Sequence, residues 1–202
     1  MSKFWNERYN SDQFIYGTEP NEFFKTVIET LKTGKILLPA EGEGRNAIYA
    51  AKLGWESVAF DGSKIAQEKA LAYAKSSNTS VKYNLNTFEE INYQTNEFDC
   101  IALIFAHVEA DNKKKYFRKL LKYLKPGGVL IFEGFCRSHS INQANNPSAG
   151  GPRDLDMLFT LNELEEIFNE LNTIQLTENS IELKEGLGHI GEANVIRYIG
   201  KK

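Results

Sequence analysis

Residues 35–47, KILLPAEGEGRNA, run from an apolar strand through a loop carrying Gly42 and Gly44 straight into a helical pattern. A second apolar run, Trp55 to Phe60, then ends in Asp61. Strand, glycine loop, helix, strand, acidic residue leaves few folds open, because two strands joined through a helix lie parallel in one sheet. Glycine lets the backbone approach a ligand, and the terminal carboxylate can accept hydrogen bonds from both hydroxyls of a ribose. The plan is that of a site for an adenosine-containing cofactor. Gly42-Glu43-Gly44-Arg45-Asn46-Ala47 also fits the dinucleotide fingerprint G-x-G-x-x-A, a weak signal on its own.

The loop carries its own discriminator in Glu41 and Glu43. A dinucleotide places its pyrophosphate on the helix N-terminus, where backbone N–H groups and the helix dipole favour anions. Two carboxylates there repel a pyrophosphate and occupy its donors. S-adenosylmethionine (SAM) has no phosphate and carries an ammonium and a sulfonium, so an acidic loop suits it.

The 202 residues suit one α/β domain able to bury roughly 70% of its unfolded surface. We read residues 1–33 as an N-terminal lid and first helix, and 34–202 as the core. A net charge of −3 leaves no basic footprint for nucleic acid. Lys113-Lys114-Lys115 reads as a solvated face of a helix whose buried stripe is Tyr116, Phe117, Leu120, Leu121 and Leu124. No apolar run approaches the roughly 18 residues of a membrane span, and MSKFWNERY has no signal-peptide core. Cys100 and Cys136 fall at apolar strand positions and read as reduced core residues of a cytoplasmic protein. The expected partner is a small-molecule acceptor, without nucleic acid or membrane, for a monomer or homodimer.

Periodicity predicts helices at 22–32, 44–53, 64–76, 111–124 and 161–171, the last opened by a Thr160–Glu163 capping box. Strands are predicted at 35–40, 56–60, 80–84, 98–105 and 129–135, followed by an alternating pair at 173–183 and 193–200 separated by a glycine-rich gap. The alternation implies a Rossmann-like, doubly wound, mostly parallel seven-stranded sheet closed by an antiparallel C-terminal hairpin, with an N-terminal helical lid. Ligands in such sheets bind beyond the carboxyl ends of the strands, where strand order reverses. That gathers residues 40–45, 61–63, 84–86, 105–107 and 135–139 around one crevice.

On ILLPAEGEGRNAIYAAKLG, AFDGS and LLKYLKPGGVLIFEGF the chain resembles the class I SAM-dependent methyltransferases over essentially its whole length. FWNERYNSDQFIYGTEPNEFF is similar to the lid of the small-molecule branch that includes tellurite-resistance and thiopurine/thiol methyltransferases. GGPRDLDMLFTLNEL and EGLGHIGEANVIRYIGKK resemble the same branch. The resemblance implies SAM as cofactor, held by Tyr16, Gly17, Ala40, Glu41, Gly42, Gly44, Arg45, Asp61, Gly62, Ser63, Asn84, Leu85, Phe105 and Ala106. The chain departs from the family in three places. Leu38 stands where an acidic residue is usual, Ala40 replaces the first of three glycines, and Asn84 replaces an aspartate.

Methyl transfer from a sulfonium requires nucleophile, carbon and sulfur in line with water excluded. Soft nucleophiles need little general base; oxygen or amine nucleophiles benefit from one within about 3 Å of the proton. His107, after the apolar strand, is the candidate catalytic residue. Arg137, His139 and Arg153 are candidate substrate-binding residues on the opposite wall, in or beside the long segment 138–156. His189 resembles a recurring histidine of the branch. Asp154 and Asp156 have no matching His/Cys cluster, so no metal is expected. The leading reading is methyl transfer to a small molecule, with a thiol or chalcogen acceptor ahead of oxygen or nitrogen. A nicotinamide-dependent oxidoreductase and a non-catalytic SAM-binding module are the alternatives.

Overall fold

The computed structural model describes residues 2–202, Ser2 through its backbone alone. Its strands are β1 (Lys35–Pro39), β2 (Glu56–Asp61), β3 (Lys82–Leu85), β4 (Phe98–Ile104), β5 (Leu124–Phe135), β6 (Asn172–Glu185) and β7 (His189–Lys201). They form one sheet in the order β3-β2-β1-β4-β5-β7-β6. The first five run parallel, and β7 pairs antiparallel with both β5 and β6. The helices are α1 (Ser2–Tyr9), α2 (Glu22–Ile28), α3 (Arg45–Lys52), α4 (Lys64–Ser76), α5 (Ala110–Tyr123), α6 (His139–Asn145) and α7 (Leu161–Ile167). This is the doubly wound α/β sheet with an antiparallel end that the alternation predicts.

Each central strand is apolar on both sides because both faces are covered. In β1, Leu37 packs with Phe117 and Leu120 of α5 on one face, while Ile36 and Leu38 pack with Ile48 of α3 and Ala70 of α4 on the other. The alanines of α4 (Ala66, Ala70, Ala74) are buried, which brings that helix close to the sheet. Both cysteines are free and buried.

Differences from expectation have local causes. The gap expected at 185–192 shrinks to three residues, since pairing continues to Glu185↔His189 and carries the histidine onto β7. α2 ends at Ile28, and tighter turns follow, with Thr30 N–H on Val27 O and Leu31 N–H on Ile28 O. Lys113 is not solvated. It lies three and four residues before Tyr116 and Phe117, so its side chain joins the buried stripe. There Nζ donates to Leu158 O at 2.7 Å, pairs with Glu163 at 3.2 Å and stands 4.5 Å from the Phe159 ring centre. Lys114 and Lys115 remain exposed.

Ala40, at the family's first glycine position, adopts φ 50°. Left-handed backbone costs a residue with a Cβ about 1–2 kcal/mol, partly offset by the lower unfolded-state entropy of alanine. Ala40→Gly is therefore expected to raise stability by about 0.5–1 kcal/mol in urea titration; an unchanged or lower midpoint would show that Ala40 bears no strain.

Candidate active site

β1 and β4 are neighbours whose following segments leave toward opposite ends of the strand order, so a crevice opens at their carboxyl ends. α3 starts there, directly after Gly44 at φ 88°. Its exposed N-terminal N–H groups demand acceptors. Glu41 meets one of them: a carboxylate oxygen accepts from Ala47 N–H at 2.7 Å, and the other oxygen accepts from the Asn46 side-chain Nδ2 at 3.4 Å. The position a pyrophosphate would take is already filled by a side chain. Burial raises the Glu41 carboxyl to about 7 against the opposing pull of the Ala47 N–H and Arg45. Across the loop, Asp61 accepts from Gly42 N–H at 3.1 Å and Ser63 N–H at 2.8 Å, yet burial still holds its carboxyl above the ordinary range.

Glu43 does not contribute to an acidic loop facing ligand. Lys69 of α4 pairs with it, and its other oxygen accepts from Ile15 N–H at 2.8 Å. The same ammonium donates to Ser11 O at 3.0 Å and Gln13 O at 2.7 Å. Lysine and glutamate together thus fasten the segment after α1 to the glycine loop. α1 itself lies over that loop. Tyr9 is buried with its hydroxyl against Gly42, so close that a Cβ there would come within 2.6 Å of the hydroxyl oxygen. Trp5 stacks on Tyr9 at 5.5 Å, and Asn6 accepts from Ser63 Oγ at 2.7 Å. On the other side, Leu187 and Gly188 in the β6–β7 turn both donate to Ile15 O at 2.8 Å.

Beneath this lid lies a cavity of about 710 Å³. Of the expected cofactor residues, Tyr16, Ala40, Glu41, Arg45, Asp61, Gly62 and Phe105 line it. The others serve it indirectly or stand apart. Gly42 and Gly44 shape the loop, with Gly44 packed on Ala70, and Gly17 abuts Gly186. Ser63 caps α4 through Ala66 N–H, and Ala106 is buried in the core. Asn84 turns away, donating to Tyr93 Oη at 3.2 Å, and Leu85 is exposed. The register pairs Phe60 with Asn84 and Asp61 with Leu85, so both sit beside β2 and Asn86 is the first side chain beyond it. Asn86, Thr87 and Phe88 form the wall assigned from sequence to Asn84 and Leu85.

The three histidines separate clearly. His107 lines the cavity, but its Nδ1 faces Met157 O at 3.1 Å and its Nε2 accepts from Phe135 N–H at 3.3 Å. Both ring nitrogens are committed to backbone, which leaves none for an acceptor's proton. Burial, opposed by the Met157 carbonyl, lowers it to about 3, so it is a neutral strut. His139 is buried behind Phe135, stacked at 4.2 Å, with one nitrogen facing Gly150 O and the other accepting from Asn194 N–H. It does not line the cavity, and neither does Arg137, which pairs with Asp156 on the surface at 2.7 Å. Arg153 does line it, while donating to the Gln143 and Pro147 carbonyls.

His189 completes the aromatic end of the cavity. Its Nδ1 meets Glu185 at 2.9 Å, and its ring lies 4.4 Å from Tyr16 and 4.6 Å from Phe105. Nε2 makes no hydrogen bond among the described residues, and the residue lines the cavity. Glu185 is also held by Arg45 at 2.8 Å and Asn21 Nδ2 at 3.0 Å. Burial pushes its carboxyl up, but Arg45 and His189 outweigh burial and hold it at about 2. Sequence reading missed Glu185, although a glutamate four residues before a histidine across a glycine turn was a usable signal. Phe88 and Met157 were missed as well, while Asn86 and Phe135 fall within the segments expected around the crevice. No cluster of three or more His, Cys, Asp or Glu side chains among the described residues has the arrangement of a metal site.

The fold is the one seen in SAM-dependent methyltransferases. Residues 36–128 match the family model described as a methyltransferase domain, and SAM is the cofactor that family and fold imply. No curated protein sequence matches the chain. Among solved structures, the chain is similar to one described for conversion of a disulfide bond into a thioacetal group during echinomycin biosynthesis. The TM-score is 0.81 at 16% identity, covering 100% of this chain and 92% of the other. It is also similar to TehB from Haemophilus influenzae, with TM-score 0.73, 16% identity and coverage of 100% and 66%. A SAM-dependent methyltransferase from Methanosarcina mazei follows at 0.70, 15% identity and coverage of 91% and 98%.

The lid geometry has a measurable consequence. Lys69→Met strands the buried Glu43 carboxylate, a loss of about 3 kcal/mol for breaking such a pair. In a Trp55→Phe background, where Trp5 alone fluoresces, the change is expected to increase acrylamide quenching. Quenching equal to that of the Trp55→Phe parent would mean that Lys69 does not hold the lid.

Proposed function

We propose that the chain, as a single domain over 1–202, transfers the methyl group of SAM to a small-molecule acceptor through a soft nucleophile such as a thiol or chalcogen. The observation that carries this is the occupied N-terminus of α3. Glu41 takes the Ala47 N–H, one of the donors a dinucleotide would use, while the cavity runs on from Asp61 and Asn86 to an aromatic-walled end. When bound, SAM supplies an electrophilic methyl carbon.

The residues present fit that group. Asp61, beside the glycine loop, is placed to accept from ribose, Asn86 and Phe88 border the adenine end, and Glu41 offers a carboxylate to the methionine ammonium. Tyr9 and Trp5 close the loop from above and exclude water. At the far end Tyr16, Phe105, Phe135 and Met157 give the acceptor a polarizable wall. His107 positions Phe135 and Met157 there, and Arg153 puts a positive charge on the rim. A sulfur acceptor also accords with the thioacetal chemistry of the similar structure. Buried free cysteines accord with a cytoplasmic location.

Calorimetry tests the cofactor: SAM and its demethylated product are expected to bind and NAD is not, with the reverse pattern overturning the proposal. If SAM binds but a panel of thiols, selenite, tellurite and catechols gives no product, a non-catalytic SAM-binding module becomes the better description.

Glu41 makes the binding pH-dependent. Its folded value near 7 lies above the ordinary carboxylate range, so its contribution to stability without cofactor is present at low pH and lost as pH rises toward 7. A bound ammonium favours the ionised form, so SAM binding releases a proton below that value. Affinity is expected to rise with pH, approaching tenfold per pH unit where one full proton is released, and to level off above about 7. Glu41→Gln should flatten the profile; an unaltered slope would place the linked proton elsewhere.

A further inference from the structure

Glu185 is bound on three sides by groups from different parts of the chain. Arg45 reaches it from the first turn of α3, Asn21 from the cap of α2, and His189 from the far side of the β6–β7 turn. Asn21 Nδ2 also donates to the buried Glu133 at 2.6 Å, and Glu133 pairs with Arg197 at 2.6 Å. With Arg45 beside it, Glu185 is an ionised acceptor, so His189 Nδ1 must be the protonated nitrogen in that contact. Its Nε2 then carries a lone pair and no protein partner. His107 and His139 have both nitrogens engaged, which leaves His189 as the one imidazole with a free nitrogen among the described residues.

We infer that Glu185 is a positioning residue that presents His189 Nε2 as a proton acceptor, and that the methyl acceptor arrives with a proton on its attacking atom. This rests on the methyl-transfer reading above. The attacking atom gives its lone pair to the new bond to the methyl carbon, and the electron pair of the broken carbon–sulfur bond returns to sulfur. The proton released by the attacking atom passes to His189 Nε2 and on to water, so the balance closes without another reactant. The developing imidazolium is stabilised by the fixed Glu185 carboxylate, the arrangement that orients histidine bases elsewhere. An acceptor already fully ionised has no need of this pair.

The charged and titratable groups around His189 are Glu185, Arg45, Arg8 and Tyr16 of the lid, and His107 and His139 behind it. Burial above all, with Arg45 and Arg8 adding to it, disfavours a resting imidazolium, and Glu185 opposes them. Lid and base are also assembled together. Tyr16 packs on the His189 ring, Arg45 donates to Tyr16 O at 3.3 Å, and the turn before His189 is tied to Ile15.

The chain has three histidines, so ¹⁵N-histidine NMR of the protein saturated with demethylated cofactor resolves the question directly. His189 is expected in the Nδ1–H form, and Glu185→Gln should lower its titration midpoint while leaving the His107 signal unmoved. An Nε2–H form, or a midpoint indifferent to Glu185→Gln, overturns the inference. Turnover supplies a second readout that loss of folding does not imitate. With an alkyl thiol that stays protonated at the assay pH, His189→Gln should lower kcat by about 10²–10⁴-fold. With an electron-poor aryl thiol already ionised at that pH, the loss should be under about threefold, because no base is required. Equal losses with both thiols would make the pair structural. Binding of SAM with no turnover of any thiol would overturn the acceptor assignment alone, whereas failure to bind SAM would overturn the cofactor reading beneath it.

Discussion

A helix beginning at the end of a parallel strand leaves four N–H groups without intrahelical partners, facing the position where a ligand must lie. In this chain the carboxylate of Glu41, from within the loop itself, accepts from one of them, Ala47 N–H. The consequence is electrostatic as much as steric. A carboxylate at that helix N-terminus disfavours phosphate and favours a cation, while the strand order and the crevice beneath it are unchanged. The same turn that carries Glu41 brings Gly42 N–H to Asp61, so the two carboxylates are fixed on either side of one backbone loop. The architecture is shared by many α/β proteins, but this side chain decides which class of ligand it serves.

A loop with three carboxylates nearby would be costly if all three were left facing one cavity, and the structure deals with each differently. Glu43 is neutralised by Lys69, and its remaining oxygen caps the backbone of the lid. Asp61 is satisfied by Gly42 N–H of the glycine loop and by Ser63 N–H of its own turn. Glu41, like Asp61, keeps a raised proton affinity, because burial costs it more than its hydrogen bonds return. Lys69 is economical in this respect. One ammonium balances a buried charge and satisfies the carbonyls of Ser11 and Gln13, so the lid segment acquires order from a charge already required by the loop.

What could be read from sequence follows from the range of the interaction. The sheet was legible because apolar runs and glycine turns are local: strands β1, β2 and β4 and helix α4 follow their periodicity within a residue or two. Cofactor residues attached to those elements, such as Glu41, Asp61 and Phe105, line the cavity accordingly. Asn84 shows where locality ends. Its position in the chain suits a ligand contact, but the register with β2 sets it two residues too early and hands the wall to Asn86. The histidines show it again. His107 and His189 both border the cavity, and only partners distant in sequence (Met157 and Phe135 for one, Glu185 and Arg45 for the other) distinguish a committed imidazole from a free one. No period or motif encodes that distinction.

Those distant partners also explain why the antiparallel end of the sheet matters to the site. Had the β6–β7 gap been the eight-residue loop suggested by its glycines, residues 185–192, His189 would have been carried on flexible chain. Pairing down to Glu185↔His189 places both residues at the last rung of a hairpin, facing the ends of β1 and β4. A side chain on a rigid rung is held in place more accurately than one on a loop, and its partner across the turn needs no separate scaffold. Arg45 then closes the arrangement from the opposite edge of the crevice, because α3 begins where the cofactor loop ends. The two walls of the cavity, at His189 and at the glycine loop, are consequently parts of one polar network. A change in how α3 is capped reaches His189 through two side chains, with no movement of the sheet required.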